Sequence, residues 1–191
     1  MPPKVKITKE NIIEKAFELL RGCGGAVINA RSIAASLGSS TQPIFSNFAT
    51  MEELKEALVE AAYSHYLSFL EKESASGKYP VYKSFGMAYI RFAKEEKELF
   101  KFLFMRDRRG GDFSPTSDFE ASVEMIMSAN GISREKAELM HLEMWACVHG
   151  IAAMSATSFL ELDEELISTM ISDVYQGIRA KQVSEEENGS N

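Results

Sequence analysis

The sequence predicts an all-α protein, and three observations carry that prediction. Helical periodicity runs through nearly all of its 191 residues, and no segment alternates apolar and polar side chains with a strand's period of two. Capping residues and glycines divide the periodicity into about nine helices. The hydrophobic content of 45% is ordinary for a chain that buries a sizeable core. A chain of this length can hold one large domain or a small domain joined to a larger one.

Taken in order, Thr8 is placed to cap a first helix, in which Ile12, Ile13, Ala16, Phe17 and Leu20 form one apolar stripe. Gly22, Gly24 and Gly25 end it. Asn29 caps a short second helix that turns Ile33, Ala34 and Leu37 inward and stops at Gly38. Ser40 is expected to cap a third helix, with Pro43 in its first turn, where a missing N–H is harmless. Thr50 and Glu53 read as a capping box opening a long fourth helix to about Glu73. Residues Ser74–Pro80 form a linker by composition. Helices follow at about Val81–Glu95 and Lys97–Met105, and Arg106–Ser117 has the Gly, Pro and charge content of a mobile loop. A further helix ends near Gly131. Ser133 begins a long one that reaches about Phe159, and the last runs from Asp163 to about Lys181. The acidic tail 182–191 is expected to be disordered. The expected domains are 1–50, with 51–73 as a connecting helix, and then 74–181.

Several function classes are disfavoured. No apolar run approaches the roughly 18 residues that span a bilayer, and the N-terminus lacks a signal peptide's apolar stretch and cleavage site. Cys23 and Cys147 are 124 positions apart with no CxxC partner, as expected of reduced thiols in a cytoplasmic protein. His65, His141 and His149 show no metal-ligand spacing. No nucleophile elbow, P-loop or dinucleotide fingerprint is present. The carboxylate pairs Glu52–Glu53 and Glu164–Glu165 sit at helix starts, where the helix dipole favours them. The reading is therefore not an enzyme, with no cofactor and no metal.

Charge is unevenly divided. Residues 1–50 carry six basic and three acidic groups, whereas the remainder carries 15 basic and 25 acidic ones. A basic head on an acidic protein suits contact with phosphate at one end only, although a surplus of three charges also fits chance asymmetry.

The informative unit is three helices in about 40 residues, with LGSS joining the second to the third. Two steeply crossing helices need a tight glycine-containing turn, and Gly38 sits at that joint. In the third helix Ile44 and Phe48 share an inner face toward Ile33, Leu37 and Phe17. Thr41, Gln42, Phe45, Ser46 and Asn47 are left to face outward. Gln42 or Asn47 can pair with an adenine edge, and the Thr41 methyl can meet a thymine methyl. Lys4, Lys6 and Arg31 would bind phosphates, which positions the helix without choosing sequence. Three short helices with polar exteriors also occur in proteins that bind no nucleic acid, so pattern alone leaves both readings open.

The run INARSIAASLGSSTQPIFSNFATMEELKEAL resembles the DNA-binding region of the TetR family of bacterial repressors. Arg31, Ile33, Ala34, Leu37, Gly38, Ser40, Ile44, Phe48, Glu52, Glu53 and Leu54 fall in register with that family's signature. Departures from it include Phe45, which stands where a tyrosine usually reaches a phosphate, and Met51, where a lysine is common. Lys55, one turn on, is a candidate substitute. Gln42 occupies a position often held by glycine, which makes it a candidate for base readout. The resemblance implies a double-stranded DNA operator as partner.

The C-terminal part reads as an assembly region. Leu166, Ile167, Met170, Ile171, Val174, Tyr175 and Ile178 make a wide apolar stripe on the last helix. The preceding helix is apolar nearly all round, with small residues that admit a close neighbour. Two such helices from each of two subunits make a four-helix bundle. Trp145, Val148, Ala152, Ile167, Met170, Ile171, Val174, Tyr175 and Ile178 are the candidate homodimer interface, with monomer core as the alternative. WACVHGIA (Trp145–Ala152) is similar to the W-x-x-x-H-G motif of one TetR-type C-terminal domain. That resemblance implies a larger ligand-binding and dimerisation domain, with an apolar effector site near Tyr89, Phe92, Phe104, Trp145 and His149. The function implied is a repressor released from a palindromic operator by a small apolar or amphipathic effector. The rival reading is a helical interaction protein whose vestigial helix-turn-helix acts through protein partners.

Overall fold

The computed structural model describes residues 7–105 and 117–189. Among the described residues there are nine α-helices and no strand: α1 (Lys9–Cys23), α2 (Ala30–Ser36), α3 (Gln42–Asn47), α4 (Met51–Ala75), α5 (Val81–Glu95), α6 (Lys97–Phe104), α7 (Ser117–Asn130), α8 (Arg134–Ala156) and α9 (Glu164–Gly189). The predicted all-α class stands. No helix among these residues is long and apolar enough to cross a membrane. Lys4, Lys6 and the predicted loop up to residue 116 lie outside the described residues.

The chain groups into two compact units. The first holds the described residues up to Ser68 together with Glu95–Met105; the second holds Phe69–Lys94 and the described residues from 117 onward. The division thus falls inside α4, and α6 belongs with the N-terminal helices.

In the first unit α1 starts at a reciprocal cap. The Asn11 N–H donates to Thr8 Oγ1, and the Thr8 N–H donates to Asn11 Oδ1, both at 3.3 Å. Ile12, Ala16 and Leu20 recur at intervals of four, so all three lie on one face and are fully buried. The helix ends at Gly24, whose φ of +82° is open to glycine and strained for other residues. A side chain there would also collide with the Glu98 carboxylate, which shows how closely α6 approaches the end of α1. The guanidinium of Arg21 grips the buried Glu96 at two points, Nε to Oε2 at 2.7 Å and Nη2 to Oε1. His65 of α4 reaches the same carboxylate at 3.2 Å and meets Phe17 edge-on.

In the second unit α8 packs between α7 and α9. Val123, Ile126, Ile132, Ala137 and Met140 form a buried cluster, flanked by Tyr82, Phe119, Met127, Tyr175 and Ile178. Ser133 caps α8, accepting from the Lys136 N–H, and Asp163 caps α9, accepting from the Leu166 N–H at 2.8 Å. Helix α9 continues to Gly189, past the expected end near Lys181. From Gln182 to Glu187 the chain carries no Gly or Pro, and the Gln182 side chain is buried. Helix α8 ends at Ala156 rather than Phe159, because Ser158 adopts a left-handed φ of +55°.

Candidate nucleic-acid interface

The turn between α2 and α3 has a specific hydrogen-bond pattern. Asn29 Oδ1 accepts the N–H groups of Arg31 and Ser32, starting α2. At its other end the Ser39 N–H returns to the Ala34 carbonyl at 2.9 Å, and the Gly38 N–H to Ala35 at 3.1 Å. This is a Schellman closure, and Gly38 takes the left-handed φ of +61° that it requires. The chain reverses sharply there and enters α3 four residues on, at Gln42. Ile33, Ile44 and Phe48 are buried, locking the two helices against α1.

Burial of Ile44 and Phe48 decides what α3 presents outward. Gln42, Phe45 and Ser46 are exposed, Phe45 with 52% of its surface accessible, and Thr41 and Asn47 are half-buried. Three details differ from the sequence reading. Thr41, not Ser40, occupies the cap position of α3, and its side chain makes no capping bond. Pro43 follows within the first turn and removes one N–H that a cap would have served. Ser46 Oγ donates to the Gln42 carbonyl at 2.9 Å. The Asn47 amide donates to the carbonyls of Pro43 at 2.8 Å and Ile7 at 3.4 Å. Those donors are turned back onto the protein, which leaves Gln42 as the outward amide of the helix. Arg31 and Lys55 are exposed, as is Ser40.

The start of α4 is tied down. The Glu53 N–H donates to Thr50 Oγ1 at 3.1 Å, while the Glu53 carboxylate accepts the Ala49 N–H at 2.7 Å and Lys9 Nζ at 3.2 Å. The Ala49 N–H, and then Lys9, hold this carboxyl below the usual range. The Thr50 half of the expected capping box is in place, while the Glu53 carboxylate returns to the N–H of Ala49 rather than of Thr50; Lys9 also lies 4.7 Å from the Phe48 ring centroid. These contacts fix α1 and α4 around α3.

Of the expected effector-site residues, three come together. The Tyr89 hydroxyl meets His149 Nδ1 at 2.9 Å, and Trp145 stacks on the same imidazole with centroids 5.1 Å apart. Phe92 is fully buried against Phe69. Phe104 lies in the other unit, packed on Tyr66 and Phe100. Tyr82 and His141 repeat the first arrangement at 3.0 Å. Burial pushes the Tyr82 phenol up and both His141 and His149 down, which favours the neutral phenol and neutral imidazoles in these contacts.

A family model described as a tetracyclin repressor-like C-terminal domain matches residues 82–174. The chain is also 22% identical, over 170 residues, to an uncharacterized HTH-type transcriptional regulator of Mycobacterium tuberculosis, covering 86% of this chain and 78% of that relative. Both similarities support a TetR-family transcriptional regulator.

The residues expected at a dimer interface fall into two groups. Val148, Ala152, Ile167 and Ile171 are buried within the protomer, and Tyr175 and Ile178 pack on the Met140 cluster. Their apolar surface is used inside the chain because α5 comes close at Gly86, where a methyl group would stand 3.2 Å from Val148 Cγ2. Trp145 is 48% exposed, with Leu139 and Leu142 beside it at 46% and 44%, and Leu166 on α9 at 45%. Met170 and Val174 are half-buried. The leucines were not among the expected interface residues. For Leu139 and Leu142, the steps of three that lead along α8 to Trp145 were the signal available in the sequence.

Proposed function

We propose that this regulator is a ligand-responsive repressor that binds a palindromic operator as a homodimer and is released by a small apolar or amphipathic effector. The observation that carries the DNA-binding part is α3 itself. Ile44 and Phe48 are buried, the turn before the helix is closed by Gly38, and both Gln42 and Arg31 are exposed. A bidentate amide suits an adenine edge in the major groove, and exposed cations suit phosphate. The exposed row Leu139, Leu142 and Trp145 supports the dimer, because leucine and tryptophan at neighbouring helix positions lose water favourably against a second copy. Two-fold pairing would place two α3 helices about one DNA turn apart. Tyr89, Trp145 and His149 are the residues we assign to effector contact, with operator affinity lowered through the coupling between sites.

The test is a binding titration of purified protein on DNA upstream of its own gene, across a salt series. A steep fall in affinity with salt is expected. Gln42→Ala should relax discrimination between related sites, and Arg31→Ala should weaken all of them alike. Salt-insensitive or absent binding would leave a helical protein acting through protein partners instead. Sedimentation of Leu142→Glu should show a shift toward monomer; an unshifted dimer would refute the proposed face.

A further inference from the structure

Residues 19–51 contain no aspartate or glutamate, in a chain that has 28 of them. Helices α2 and α3 lie wholly inside that stretch, and Arg31 on α2 is exposed. A segment cleared of carboxylates suits approach to a polyanion. Phe45 lies in it with 52% of its surface accessible, although a phenyl ring gains by leaving water. Ile44 and Phe48 of the same short segment are buried, so the segment sends one aromatic ring into the core and keeps another in solvent.

The polar side chains of α3 narrow what faces outward. Ser46 Oγ donates to the Gln42 carbonyl, and the Asn47 amide donates to the carbonyls of Pro43 and Ile7. Thr41, whose methyl was the expected partner of a thymine, is half-buried. Gln42 and Phe45 are both exposed and stand three residues apart, which makes them neighbours on one helix face with about 4.5 Å of rise between them. Successive bases on a DNA strand are about 3.4 Å apart, so two such side chains can meet adjacent base pairs. A phenyl ring has no N–H or O–H to give a phosphate oxygen. The apolar group that a base edge displays in the major groove is the 5-methyl of thymine.

Resting on the DNA-binding reading above, we propose that Phe45 is a specificity-determining residue that packs on the 5-methyl group of a thymine next to the base read by Gln42. Contact removes both apolar surfaces from water. A cytosine in that place would offer the ring no methyl group, and an amino donor that the ring cannot satisfy.

The experiment selects tightly bound sites for the purified full-length protein from a pool of random-sequence duplex DNA. Each thymine of a selected site is then replaced in turn by deoxyuridine, which deletes the methyl group alone. One position in each half-site should lose at least about threefold in wild-type affinity, the scale of one methyl group left unburied. At that position Phe45→Ala should bind thymine and uracil alike, and Phe45→Leu should keep a preference for thymine. Low salt keeps the weaker complexes measurable through their phosphate contacts. Wild-type indifference to every replacement would overturn the Phe45 assignment while leaving DNA binding intact. A Phe45→Ala protein with the full wild-type preference would overturn it too, since the methyl group would then be read elsewhere. A pool that yields no bound site would refute the DNA-binding reading itself, and the Phe45 assignment with it.

Discussion

In the N-terminal unit the buried Glu96 carboxylate is met by the Arg21 guanidinium at two points, whereas α5 and α8 of the second unit are joined by two neutral phenol–imidazole contacts. Arg91 and Glu73 repeat the charged arrangement between α5 and α4, so the contrast belongs to the α5–α8 seam in particular. A buried charged contact is strongly directional, but it strands a charge when one partner is lost. A neutral contact is weaker and loses less. The N-terminal unit is therefore the more rigidly specified of these two places, and the α5–α8 seam the one more easily shifted by a local chemical change.

The largest effect should come from breaking the charged node. Arg21→Ala removes the bidentate partner and leaves Glu96 buried with His65 as a remaining neighbour. A loss of about 2–3 kcal/mol in urea unfolding is expected, at or below the usual range for an orphaned buried charge. Loss of under about half a kcal/mol would show that the node is not structural. Gly24→Ala tests the same region through the backbone. The positive φ and the nearby Glu98 carboxylate both oppose a side chain, and about 1–2 kcal/mol should be lost.

Legibility in the sequence follows the range of the interactions. The caps at Thr8, Asn29 and Ser133, the turn at Gly38 and the bounds of α5 were all readable, because each depends on residues within about five positions. Glu96 and Arg21 lie 75 residues apart, and nothing in either segment's pattern announces their meeting. The same holds for the grouping of α6 with the first unit. On α3 the identities of Ser46 and Asn47 suggested donors for DNA, but short polar side chains on a helix also bond back to the carbonyl four residues earlier, as both do here. The expected interface on α9 was a true apolar stripe. Its pattern could not say that Ile167 and Ile171 are buried within the same chain, Ile171 close to Gly86 of α5, while Leu166 is exposed.

The neutral contacts should give smaller effects with a pH signature. Tyr89→Phe and Tyr82→Phe each remove a phenol from a partly buried imidazole, and about 1 kcal/mol apiece is expected. Burial holds His141 and His149 below the ordinary histidine value in the folded chain, so the unfolded chain binds protons more readily as pH falls. The stability tied to neutral imidazole is then fully present above about pH 6.5 and is lost progressively below it, until the folded histidines themselves protonate. Thermal melts between about pH 8 and about pH 5 should show a falling Tm in the wild type. His141→Gln/His149→Gln should flatten that fall, because glutamine does not titrate, while Arg21→Ala should keep it. Should the double variant decline as steeply as the wild type, the acid sensitivity would have to lie outside the α5–α8 seam.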